Sequence, residues 1–485
     1  MSSENLYEVF THTLKKSLSA KYVEYVIKVM TMMIYARIFA PEQFGIMAVL
    51  QVFIVFFMML SDVGIGPAII NYKDLKNRDR DGLFTISILL GLFFSIVFYF
   101  SLFALNTFYG RTDYQTFGIL ICISVFFNAI SSIPLNLLYK QKKFFKVMRA
   151  VVLSEILSLF VVLTLHFTFK VDALWIMASI PMSLSIVKFL SIMIMNKREE
   201  LGRPTVGKHF SAIKPILSFS LYQFGFNILN YFSRNLDNIL VGKYIGMNDL
   251  GVYGKSYELM RYPLQLLTFA FTPAIQPTIA SSYNNPSLIC KLHNNFAINI
   301  LICGGYFGLI FHFISDDIVL FILGDKWADV AVLLMIFSYI VPVQVLLSSS
   351  GGFFQGMRKT NEMFKSGVFS SLTNVSSILI GIYYGDLELL AYCLVFSFTL
   401  NSLQCYYLLY KNVFNSTYVT FLSVLLFGLL PFIISFLSIY FFEIQPLYVE
   451  NTFLRLIINA GGIAFIYIAS LILIYPFKKV LIRKF

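Results

Sequence analysis

Five basic residues stand inside long apolar runs of this chain: Lys21, Lys28, Arg234, Lys255 and Arg261. Facing lipid at mid-bilayer, each would cost about 2.5–3.5 kcal/mol, or roughly 15 kcal/mol together. A fold whose net stability is only about 5–15 kcal/mol does not carry that burden, so these groups are expected to face a water-filled cavity or neutralising partners. Carboxylates accompany them at helical spacing. Lys21, Glu24, Tyr25 and Lys28 share one helix face, and Gln223, Asn227, Asn230, Arg234 and Asp237 form a second stripe. Lys255, Glu258, Arg261, Tyr262 and Gln265 form a third. Pairing at i,i+3 would join Lys21 to Glu24, Arg234 to Asp237 and Glu258 to Arg261, leaving Lys28 and Lys255 as net positive charge. A cationic cavity suits an anionic cargo such as a phosphate or diphosphate, which Arg binds in a fork and Lys as a point charge. The carboxylates Glu24, Asp237, Glu258 and Asp62, with Glu155, are candidate protonation sites.

Those stripes need membrane-crossing helices to carry them. Of 485 residues, 58% are hydrophobic and only 13% charged, against about a quarter charged in soluble domains. Apolar segments near the roughly 20 residues needed to cross a bilayer are read at 17–38, 44–70, 83–105, 114–138, 150–167, 173–194, 215–242, 249–275, 295–314, 328–349, 366–384, 387–409, 418–441 and 453–475. The result is an all-α integral membrane protein of about fourteen spans. Residues 1–16 are polar and lack a small-residue cleavage site, so the first span is expected to act as its own insertion signal. With an inner N-terminus, most loop Lys and Arg fall on one side, whereas the opposite loops hold only Arg111, Lys170, Lys326 and Arg455. Both termini are therefore expected in the cytoplasm.

An internal repeat organises the spans. Residues Tyr35 to Gly45 are echoed by Val241 to Gly251, and the same offset of 206 relates Arg37 to Lys243, Lys28 to Arg234 and Pro67-Ala-Ile to Pro273-Ala-Ile. Six spans separate the copies, so the halves are expected to be related by an axis along the membrane normal. The lobes are placed at 1–212 and 213–412, with 413–485 as an appended pair of spans. The segment 196–212 is read as an inter-lobe linker.

Other chemistries find little support. The formal charge of +12 follows from cytoplasmic loops and headgroup attraction, not from a nucleic-acid partner. The five cysteines lack CxxC spacing, and His166 and His312 are isolated, so no metal is expected. Gly202 to Lys208 matches GxxxxGK, but His209 replaces the required Ser or Thr and no strand precedes it. No loop is long enough to hold a catalytic domain, so an enzyme is not expected.

Ala36-Arg-Ile-Phe-Ala-Pro-Glu-Gln-Phe-Gly-Ile-Met-Ala48, Leu60-Ser-Asp-Val-Gly-Ile-Gly66, Leu217-Ser-Phe-Ser220 and Asn230 through Gly242 to Tyr253 resemble the Wzx-type polysaccharide flippases of the multidrug/oligosaccharidyl-lipid/polysaccharide exporter superfamily. That resemblance implies a V-shaped pair of lobes in the bacterial cytoplasmic (inner) membrane. It also implies flipping of an undecaprenyl-diphosphate-linked oligosaccharide to the outer leaflet by alternating access, for O-antigen, capsule or exopolysaccharide synthesis. Polysaccharide polymerisation and export proteins are the implied partners. No cofactor is expected, and transport would draw on an ion gradient or the membrane potential. Alternatives are an exporter of drugs or of a peptidoglycan precursor in the same superfamily, or a membrane glycan polymerase or ligase.

Overall fold

The computed structural model describes residues 3–62, 69, 75–210, 231–232, 235–280 and 285–484, with the side chains of 3–18, 268–278, 280 and 475–484 left aside. Every regular element among them is helical. The chain runs through α1 (Ser3–Ile38), α2 (Pro41–Asp62), α3 (Asn77–Tyr109), α4 (Tyr114–Lys140), α5 (Phe144–Phe167), α6 (Ala173–Asn196), α7 (235–244) and α8 (Met247–Ala280). It continues through α9 (Pro286–Phe313), α10 (Ser315–Ile322), α11 (Asp329–Ser338), α12 (Val341–Gly356), α13 (Thr360–Tyr384), α14 (Leu387–Leu408), α15 (Tyr418–Phe441) and α16 (Thr452–Lys484). Ten described helices are long and apolar enough to cross a membrane, or eleven if the bent pair α11–α12 counts as one. The charged-stripe helices α1 and α8 lie outside that set, and α7 is described only in part. Pro134, Pro181 and Pro431 sit inside long helices, as bilayer helices tolerate, and Asn196 Nδ2 of α6 ties into α4 by donating to the Pro134 carbonyl at 2.9 Å.

The chain divides into two compact units, 1–251 and 252–485. The expected lobe boundary at 212/213 falls within 211–230, outside the described residues. In the first unit, α2, α3, α4 and α6 close around Leu50, Phe57, Phe98, Phe117, Ile121 and Ala178. Gly45 and Gly251, related by the 206-residue offset, interlock there. A Cβ on Gly45 would collide with the Met247 carbonyl oxygen, and one on Gly251 with the Pro41 carbonyl oxygen. Each helix start thus packs backbone to backbone on the other, which only glycine permits.

In the first unit, the described part of the segment read as an inter-lobe linker is fastened to α3. Residues 202–210 have no regular secondary structure and lie against the start of α3, where Thr85 Oγ1 donates to the Gly207 carbonyl (2.7 Å) and accepts from the Gly207 N–H (2.9 Å). The Thr205 N–H donates to Asp81 Oδ1 (2.9 Å), and Arg80 donates to the Leu201 carbonyl.

In the second unit α9 is central. Tyr467 of α16 donates to the Ile302 carbonyl at 2.7 Å. The expected continuous span 328–349 is instead two helices meeting at 65°. Pro342 in the first turn of α12 cannot supply the N–H that would continue α11, and Gly304 and Gly308 of α9 leave room for its ring. Span nine also starts earlier than expected, at Pro286, where Asn285 Oδ1 caps the Leu288 N–H (3.2 Å).

Candidate functional site

On α1 the charged face stands as the periodicity requires. Lys21 Nζ lies 2.8 Å from Glu24 Oε2, with the carboxylate buried and the ammonium 43% exposed. One turn on, Lys28 is exposed and Thr31 Oγ1 donates to Glu155 Oε2 of α5 at 3.4 Å. Ser183 of α6 donates to Ser158 of α5 at 2.8 Å. Helices α1, α5 and α6 therefore share one polar seam inside the first unit.

The seam contains a residue that sequence reasoning missed. Lys188 of α6 is partly exposed, and the charge acting on it most strongly is Lys28, followed by Glu24 and Lys21. It sits in Ser185-Ile-Val-Lys-Phe-Leu190 with no carboxylate three or four residues away. Its only sequence signal is a lysine within a span.

On α8 the pairing differs from expectation. Glu258 Oε2 lies 2.6 Å from Lys255 Nζ, whereas Arg261 is exposed and forms no ion pair with Glu258. The Tyr262 hydroxyl donates to Glu258 Oε1 at 3.2 Å. Lys255, expected to stay unmatched, is thus neutralised, and among the described residues Arg261 forms no ion pair.

Asp237 of α7 is buried, and its Oδ1 accepts from the Asn238 N–H at 2.8 Å. The neighbouring Arg234, with Gln223, Asn227 and Asn230, lies outside the described residues. Asp62 at the end of α2 accepts from Ser132 of α4, and Asn136 Nδ2 donates to the Ser132 carbonyl at 2.8 Å. No group of His, Cys, Asp and Glu among the described residues has metal-site geometry.

Beyond the spans, ion pairs fasten loops. Glu199 meets Lys143 at 3.1 Å and also pairs with Lys146. Hydrogen bonding from Lys146, and then from Lys143, holds its carboxyl below the ordinary range. Arg111 grips Asp113 through two nitrogens at 2.9 and 2.6 Å, which lowers that carboxyl in the same way.

In the second unit a wholly buried His293 also escaped notice, because span nine was begun at 295. Its Nδ1 is 2.9 Å from the Tyr410 hydroxyl, which donates to Asn294 Oδ1 at 2.5 Å. The rings of Phe353, Tyr406, Tyr410 and Phe414 enclose it.

Comparison with known proteins agrees with a transporter built on this plan. The chain is 23% identical over 440 residues to the teichuronic acid biosynthesis protein TuaB of Bacillus subtilis (strain 168), covering 89% of this chain and 88% of that one. It is 23% identical to the lipopolysaccharide biosynthesis protein WzxC of Escherichia coli (strain K12), covering 80% and 78%. Among solved structures, the fold matches the lipid II flippase MurJ in an inward closed conformation, with TM-score 0.73 at 16% identity over 96% of this chain and 98% of that one. An inward-facing MATE family multidrug transporter of the MOP superfamily matches with TM-score 0.62 at 13% identity, over 80% and 94%. The all-helical architecture is thus the MOP transporter fold, and the profile of the polysaccharide biosynthesis proteins matches residues 34–332. With most of the chain inside that match, it belongs to the polysaccharide biosynthesis protein family.

Proposed function

We propose that this protein is a flippase, not an enzyme, that carries a lipid-linked oligosaccharide from the cytoplasmic to the outer leaflet of a bacterial cytoplasmic membrane. The observation that carries the reading is the excess of positive charge on the polar faces of α1, α6 and α8. In the first unit's seam Lys21, Lys28 and Lys188 outnumber Glu24 and Glu155, and in the second Arg261 remains beyond the Lys255–Glu258 pair. A net positive polar face suits a diphosphate and disfavours the cationic cargo of a drug exporter. TuaB and WzxC, named for surface polysaccharides, support a saccharide cargo.

The diphosphate of a polyprenyl carrier would be balanced by Lys28, Arg234, Lys255 and Arg261, with its tail in lipid and its sugars on the polar stripes. Return of the carrier-free protein would use an ion gradient or the membrane potential, through Glu24, Asp237, Glu258 or Asp62. Both termini would be cytoplasmic, and polymerisation and export proteins would take up the product. Deleting the gene is expected to abolish a surface glycan while its lipid-linked repeat unit accumulates facing the cytoplasm. Full restoration by Arg234→Ala at equal expression would refute the role given to that residue. The MurJ likeness favours a second reading, a peptidoglycan-type lipid precursor as cargo. The identity of the accumulated lipid decides between the two.

A further inference from the structure

Lys28 and Lys188 belong to different helices, 160 positions apart, yet the seam sets them at one depth. Ser158 and Ser183 are hydrogen-bonded and therefore level, and α5 and α6 run antiparallel through a short connection. With about 1.5 Å of rise per residue, Glu155 lies about 4.5 Å from that level and Lys188 about 7.5 Å from it, both toward the start of α5. Thr31 is level with Glu155 through their hydrogen bond. Lys28, one turn earlier on α1, then lies about 9 Å from the serine pair. The two ammonium-bearing residues differ in depth by about one residue's rise.

Their surroundings leave positive charge unanswered. Glu24 is engaged by Lys21 at 2.8 Å, and Glu155 accepts from Thr31 while attracting Lys28. Among the described residues neither Lys28 nor Lys188 forms an ion pair, and of all charges Lys28 acts most strongly on Lys188. Two like charges set at one depth on a shared polar seam repel each other in the empty protein. A group of anionic oxygens placed between them turns that repulsion into attraction.

We propose that Lys188 and Lys28 form an anion-binding pair within the first unit that takes the acidic group of the transported lipid-linked saccharide. The inference rests on the flippase reading for the identity of the cargo, but the pair itself is complete in residues 1–251. Two sources share the chemistry: the diphosphate of the carrier and the carboxylate of an acidic sugar. Arginine at 188 would keep the interaction, whereas a neutral side chain would lose it.

The test uses the purified full-length protein in lipid nanodiscs, titrated with inorganic pyrophosphate and, separately, with glucuronate. Lys188→Gln is expected to weaken binding of one probe by about tenfold or more, the loss of a charge-assisted hydrogen bond, with Lys188→Arg close to wild type. The probe affected names the source. Relief of repulsion is expected to raise the unfolding temperature of ligand-free Lys188→Gln, an effect opposite to that of removing a structural strut. Three results overturn the pair: unchanged binding of both probes, no binding by the wild type, or weaker binding together with lowered ligand-free stability. Failure of the flippase reading shows separately, as no lipid-linked saccharide accumulating when the gene is deleted, and leaves the probe titrations standing.

Discussion

The Lys–Glu pairs of α1 and α8 have the same spacing and order, yet they are turned inside out relative to each other. In Lys21–Glu24 the carboxylate is enclosed, with 8% of its side chain exposed, and the ammonium is 43% exposed. In Lys255–Glu258 the ammonium is enclosed at 11%, and the carboxylate is 41% exposed. Sequence spacing determines that the charges meet. Packing decides which member is committed to the protein and which is presented outward. The first unit therefore shows cations outward on α1, Lys21 and then Lys28. The second shows Glu258 and, one turn on, Arg261.

That inversion predicts opposite mutational asymmetries, since stranding a buried charge is far worse than losing an exposed one. The largest effect is expected from Glu258→Ala, which takes the paired carboxylate from the enclosed Lys255 ammonium and an acceptor from the Tyr262 hydroxyl. A loss of about 3 kcal/mol is anticipated, with Lys255→Met costing about 1 kcal/mol or less, measured by thermal unfolding in detergent. Next comes Lys21→Met, which strands Glu24 at about 2 kcal/mol and should exceed Glu24→Gln. Equal losses within either pair would erase the distinction between the two helices.

The smallest effect calibrates both. Glu199, outside the spans, has its carboxyl lowered by Lys146 and Lys143. Its stabilisation is complete above the ordinary glutamate value of about 4.3 and disappears as pH falls through the lowered folded value. Hydrogen exchange of residues 197–210 is therefore expected to quicken only in that acid window, and Glu199→Gln to remove the dependence.

Much of this arrangement was legible in the chain. Apolar runs locate the helices because bilayer thickness leaves few alternatives, and i,i+3 spacing exposes charges that share a helix face. What escaped shares one physical cause, contact between helices. Glu258 stands three residues from both Lys255 and Arg261, and local spacing is symmetric between them, so tertiary packing made the choice. Lys188 has its charged company on α1, which no local spacing on α6 reveals. Pro342 reads as one residue of an apolar run until the glycines of α9 give its ring somewhere to sit. The span containing His293 was begun too late, because Lys291, His293, Asn294 and Asn295 interrupt the hydrophobic pattern of a helix that Asn285 and Pro286 nevertheless start.

The contact between Gly45 and Gly251 has the reciprocity of an isologous interface: residue i touches the helix that carries j, and j touches the helix that carries i. In a symmetric dimer such a contact is written once and used twice. Here both members are in one polypeptide, so each glycine is constrained by the backbone of the other helix start and neither can drift alone. A side chain added at either position would push on the backbone of the other helix start, so a change at one glycine is felt at both.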